Sequence, residues 1–215
     1  MQDAHTGDWV WESQLPARLL GSLQELNLRF LGLRAGPGGE FGGQAAPLSP
    51  AQRLAVAGCP YALFDLKFQD DGHWCPRLQN AAPWRVADAA MGEPEAVEFV
   101  HLALFFAWHV ASTAKLAAQL ILGMNEATAL AFRRITVDRL PQLAASETPN
   151  LGARWSDCAA YWNALARAAA RPDPAGQRRV QLFGVQLAAA ARLPAGPTGR
   201  AAAAMTPVAK DPSRK

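Results

Sequence analysis

Little in this chain resembles the equipment of a catalytic or secreted protein. Among 215 residues there are three cysteines, Cys59, Cys75 and Cys158, with no CxxC pair. So odd and scattered a set speaks against a disulfide framework and a CxxC zinc site, and suits reduced thiols in a cytoplasm. Histidine is also sparse, at His5, His73, His101 and His109. His101 and His109 stand eight apart, not at the i, i+4 spacing with which a helix holds a metal. His73 lies near Cys75, Asp70 and Asp71, but no second His/Cys cluster completes a site. "GPGGEFGG" at 36–43 lacks the Lys-Ser/Thr of a phosphate loop, so it reads as a linker. Neither Cys59 nor Cys158 carries the local signature of a nucleophile. The expectation is a protein that is not an enzyme and has no cofactor or metal.

Charge of one sign is lacking too. The formal net charge is +3 with pI near 9.0, which permits a nucleic-acid surface without demanding one. No uninterrupted apolar run is long enough to span a bilayer. Phe99–Met124 comes nearest, but His101, His109, Lys115 and Gln119 interrupt it, so it reads as a buried core helix with no membrane insertion. The opening "MQDAHTGDWVWESQ" has no basic n-region before an apolar core, and no signal peptide is expected.

What is present is helical patterning. Half the residues are hydrophobic and 18% are charged, the composition of a folded domain. Seven Trp supply large buried anchors or contact surface. Residues 15–33 place Leu at helical spacing. Ser49 and Pro50 open a short helix that Gly58 stops. A long helix begins at Pro94 and Glu95 and runs to Gly123, and Asn125 and Thr136 cap two more. Arg154–Ala170 and Gln177–Leu193 complete the set. Between Tyr61 and Phe68, Leu63, Phe64, Leu66 and Phe68 surround Asp65 and Lys67 with strand-like alternation. An edge strand there invites pairing with a partner chain. Residues 75–96, broken by Pro76, Pro83 and Pro94, read as an irregular connector.

The expected fold is mainly α: a compact multi-helix orthogonal bundle with at most one short strand or hairpin. Its expected parts are an N-terminal extension (1–14), a first helical half (15–92) with a Gly/Pro loop at 35–47, a second helical half (93–193) and a disordered tail (194–215). Sliding the chain on itself by 87 residues places Ser49 on Thr136, Lys67 on Arg154, Phe68 on Trp155, Asp70 on Asp157 and Trp74 on Tyr161. Duplication and chance similarity both remain open on this overlay.

Three stretches carry a family resemblance: "LQELNLRFLGL" at 23–33, "LFDLKFQDD" at 63–71 with a second copy in "LGARWSD" at 151–157, and "KLAAQLILGMNEATALAFRRITVDRLPQLAAS" at 115–146. Together they resemble FlhD, the small helical subunit of the flagellar master transcription activator. The chain departs from that family in length, about twofold, and in the loop at 35–47. The resemblance, taken with the overlay, is compatible with a divergent tandem relative of two FlhD-like halves. It also implies a regulatory subunit working with a protein partner and DNA, as a homo-oligomer or an internal pseudo-dimer. A helical adaptor or chaperone of a secretion or flagellar apparatus, without DNA, is the alternative. The expected nucleic-acid or partner contacts are Arg133, Arg134 and Arg139 in "AFRRITVDRL", with Arg154 and Lys67. Phe64, Phe68, Trp74 and Trp155 are the expected interface aromatics.

Overall fold

The computed structural model describes residues 17–34, 48–79, 93–171 and 173–191. The N-terminal extension, the Gly/Pro loop at 35–47 and the tail at 194–215 lie outside these residues. Among them are nine α-helices and one two-stranded sheet. In chain order they are α1 (Ala17–Leu33), α2 (Pro50–Ala57), β1 (Phe64–Asp65), α3 (Asp71–Gln79), α4 (Pro94–Thr113), α5 (Lys115–Ile121), α6 (Glu126–Phe132), α7 (Leu140–Glu147), β2 (Gly152–Ala153), α8 (Ala159–Ala169) and α9 (Pro174–Ala190). The fold is mainly α.

Local chemistry explains most boundaries. Ser49 accepts from the Gln52 amide while the Gln52 side chain accepts from the Ser49 amide, a reciprocal capping box with Pro50 at the first helical position. Asn125 accepts from the Thr128 amide at 2.7 Å and opens α6. Asp173 does the same for α9 through the Ala175 amide.

Other boundaries differ from expectation. The long helix does not run to Gly123: Ala114 leaves helical geometry at φ −148° and ψ 74°, splitting it into α4 and α5. No Pro or Gly marks that break in the sequence. Thr136 precedes a 3-10 turn, Val137–Arg139, but its side chain makes no capping bond. Residues 75–79, expected to open an irregular connector, instead belong to α3, Asp71–Gln79, with Pro76 inside it. The helix expected from Arg154 begins only at Ala159, because Trp155 sits in the left-handed region at φ 53°.

The expected strand contracts to two residues, and its partner is internal. β1 pairs antiparallel with β2, Phe64 opposite Ala153 and Asp65 opposite Gly152. The edge offered to a partner chain is therefore occupied by the chain's own second half.

A repeated motif emerges at a spacing of 88 residues rather than 87. Phe64–Asp65 and Gly152–Ala153 are the strands; Lys67 (φ 57°) and Trp155 (φ 53°) are the left-handed turns; Asp71 and Ala159 begin the helices. The overlay by 87 aligned Asp70 with Asp157, whereas the folded register aligns Trp74 with Trp162 and Leu63 with Leu151. One residue matters because it decides which side chain enters the core.

The two halves share one core. Phe30 of α1, Phe64 of β1 and Phe99 of α4 meet with ring centroids 5.2–6.1 Å apart. Phe68 and Trp74 pack on Phe132 at 5.9 and 4.9 Å. Tyr61, Trp155, Tyr161 and Phe183 form a third cluster under α9. Each such side chain contributes about 1.5–3 kcal/mol when fully buried. Gly184 lets α9 lie against Tyr61: a Cβ there would fall 2.0 Å from the phenol oxygen.

Candidate functional site

The residues singled out in the sequence divide sharply by burial. Phe64, Phe68 and Trp74 are fully buried, and Trp155 is half-buried beneath the Arg154 guanidinium, 4.5 Å from its ring centre. Phe64, Phe68 and Trp74 hold the halves together and present no outer interface, a correction that follows from the period-2 alternation being two-sided: the strand is covered on both faces.

Arg154 is likewise removed from solvent, with 5% exposure. Its Nη1 donates to the Ile121 carbonyl at 2.6 Å, while its backbone amide donates to the Leu63 carbonyl. Burial pulls its pKa down to about 10, with Asp65 opposing that shift. It cannot reach phosphate from there. Arg139 is also spoken for: its guanidinium donates to the carbonyls of Leu78 (2.9 Å) and Arg77 (3.1 Å) at the end of α3. A cation satisfying the orphan carbonyls of a helix terminus is a structural role.

Arg133, Arg134 and Lys67 remain exposed. Arg133 and Arg134 form no ion pair among the described residues and project from the turn after α6. That turn is rigid. Ile135 is buried in it, and the Trp108 indole donates to the Ile135 carbonyl at 3.2 Å. Val137, 40% exposed, stands beside them.

Three polar centres were not legible in advance. Asn27 is fully buried in α1; its Nδ2 donates to the carbonyls of Tyr61 (2.9 Å), Ala57 and Cys59, and its Oδ1 accepts from the Leu63 amide (2.9 Å). One side chain thus fixes the approach to β1. The only signal was a lone amide among Leu23, Leu26 and Phe30. Glu147, 1% exposed at the end of α7, meets His73 Nε2 at 2.7 Å, Arg77 Nε at 3.0 Å and the Asn150 amide at 2.8 Å. That cluster ties α3 to α7 across the halves, and His73 is engaged here rather than with Cys75. Finally, Tyr161 donates to the Tyr61 hydroxyl at 3.1 Å beside Cys59, where burial pushes the thiol up to about 12. Burial of this kind disfavours the thiolate, the form in which a cysteine attacks. Among the described residues no group of three His, Cys, Asp or Glu side chains could hold a metal ion.

Between α1 and α4 runs an open groove of about 560 Å³. Its floor is apolar, with Leu19, Leu26, Leu102 and the 45%-exposed Phe105, and Arg18 and Arg29 stand on its rim. At Gly21 the groove wall faces open space, since a Cβ added there would meet nothing within 4 Å. α4 is long and apolar enough to cross a membrane by length and composition alone, but 44% of its apolar window is buried within the fold.

No protein-family model matches the chain, and no curated protein and no solved structure matches it either.

Proposed function

We propose that this chain is a non-enzymatic regulatory subunit that works by contact with a protein partner and, within that complex, with DNA. The observation that carries this reading is the pair Arg133–Arg134: two exposed guanidinium groups without ion-pair partners among the described residues, on a turn pinned by Trp108. Two adjacent cations on a pinned turn suit phosphate or an acidic protein surface, because little backbone ordering is left to be lost on contact. The likeness of residues 115–146 to FlhD supports the same assignment. The antiparallel β1–β2 contact supports the internal pseudo-dimer that a tandem relative would have.

The test is capture of the tagged full chain from its native cells, with sequencing of co-purified DNA, followed by binding of the recovered fragments at several salt concentrations. Discrete promoter fragments together with an activator subunit, lost in the Arg133→Ala/Arg134→Ala variant, support the reading. A steep fall of affinity with salt is expected, since each neutralised phosphate releases counterion. Recovery of export components with no DNA, unchanged in that variant, overturns it. That outcome would favour the second reading, a helical adaptor, for which the apolar groove between α1 and α4 speaks.

A further inference from the structure

We propose that α9 is a displaceable cover: it closes the cleft between α2 and α8 in the resting chain and leaves it as a unit, giving solvent access to Cys59 and to the phenols of Tyr61 and Tyr161. Cys59 lies where the three helices meet. Val56 of α2, Leu165 of α8 and Gln177 and Gln181 of α9 enclose a crevice of about 10 Å³ beside it, too small for anything beyond a water. Removing α9 takes away one wall of that crevice. Arg133 and Arg134 have no part in this movement.

The helix is held lightly. α4 buries Phe99, Val100, Leu104, Phe106 and Val110, whereas the buried residues of α9 are Gly184 and Ala188, which bring little apolar area. Val180, Phe183 and Leu187 are only half-buried. Among the described residues no ion pair joins α9 to another element: Arg179 turns back to Asp173 at 3.5 Å, and Asp173 caps the helix through the Ala175 amide at 3.0 Å. Those ties travel with the helix.

The polar groups that α9 covers around Cys59 keep partners without it. The Gly58 carbonyl accepts from Gln181 Nε2 at 3.3 Å but also from Gln24 Nε2 of α1 at 3.4 Å, so it retains a donor. Tyr161 and Tyr61 bond to each other at 3.1 Å. An element that leaves without orphaning such groups opens at low cost, and movable segments are drawn from that end of the stability range. Gly184 is the point of closest approach. A Cβ there would find Oη, Cζ and Cε1 of the buried Tyr61 within 2.8 Å, and Trp155 and Tyr161 pack on that ring, so a side chain at this position drives α9 out of the cleft.

The test follows alkylation of Cys59 by N-ethylmaleimide in the full chain, read at that residue by mass spectrometry over a series of urea concentrations, alongside amide hydrogen exchange of α9 and α4. Cys59 labelling and α9 exchange should share one shallow urea dependence, well below that of α4, because opening α9 exposes far less surface than unfolding the chain. Gly184→Val should speed both about tenfold while leaving α4 exchange as it is. If that variant does not fold, the wild-type urea series decides alone. Cys59 labelling that follows α4 with the steep dependence of global unfolding overturns the proposal. So does a folded Gly184→Val chain in which Cys59 stays as protected as in the wild type.

Discussion

Trp74 and Trp162, 88 residues apart, do the same thing in the two halves: each donates its indole N–H to the carbonyl of the residue eight positions earlier, Leu66 at 2.9 Å and Arg154 at 3.1 Å. Each Trp is the fourth residue of its helix, and each bond closes the left-handed turn between strand and helix. The indole is thus both core filler and clasp. Trp74→Phe and Trp162→Phe should each cost about 2–3 kcal/mol, from lost volume plus an orphaned buried carbonyl. Urea denaturation checks this, and a loss below about 0.5 kcal/mol in either variant would show that the clasp contributes little.

Asn27 should be less tolerant still. Asn27→Ala strands the Leu63 amide and leaves three carbonyls without its donors, an expected loss of about 3 kcal/mol. Asn27→Asp keeps the size but replaces the donor with an acceptor oxygen facing carbonyl oxygens, so it should destabilise at neutral pH at least as much. Thermal unfolding of both variants reads the difference; an Asp variant as stable as wild type would refute the assigned donor geometry.

Gly123 sits at φ +73°, and a Cβ there would lie 2.6 Å from Arg154 Nη2. Gly123→Ala adds the left-handed backbone cost of about 1–2 kcal/mol to displacement of a buried guanidinium. A cost well above about 2 kcal/mol is expected by chemical denaturation. Combining it with Arg154→Met should cost less than the sum of the two single changes, and strict additivity would mean that the two positions do not interact.

Alkaline pH should weaken the fold. Burial raises Cys59 to about 12 and lifts Tyr61 and Tyr161 well above their usual range. These groups keep their protons in the folded chain after the unfolded chain has released them, so stability is full below about pH 8.5 and falls above it. Arg154, lowered to about 10, acts in the opposite sense, but only above that pH. From pH 8.5 to 9.5 the Cys59 contribution alone is about 1 kcal/mol, and Cys59→Ala should flatten that part of the profile. Urea midpoints measured at pH 7.5, 8.5 and 9.5 decide it; a level wild-type profile would count against the buried-thiol account.

The arginines separate by role. Arg139→Ala should cost about 1–2 kcal/mol, since the end of α3 loses two charge-assisted bonds. Arg133→Ala and Arg134→Ala should change stability by less than about 0.5 kcal/mol, as surface changes do. Equal effects at all three positions would remove the distinction on which the proposed binding turn rests.

The sequence by itself determined the helical class and several helix starts, because caps and apolar spacing are local: Ser49 with Gln52 and Asn125 with Thr128 are each complete within four residues, whereas the last helix, expected from Gln177, starts at Pro174. It offered an overlay at 87 residues, whereas the two turn motifs stand 88 apart, since the aligned Asp70 and Asp157 were a similarity of letters while the indole clasps depend on which side chain turns inward. Tertiary structure decided the rest. Whether an arginine meets solvent or a carbonyl is settled by residues far away in the chain: Arg154 by Leu63 and Ile121, Arg139 by Arg77 and Leu78. The strand edge of Phe64 looked open because its partner, Ala153, lies 89 positions downstream. The groove beside Phe105 exists only because α1 and α4, apart in sequence, pack against each other.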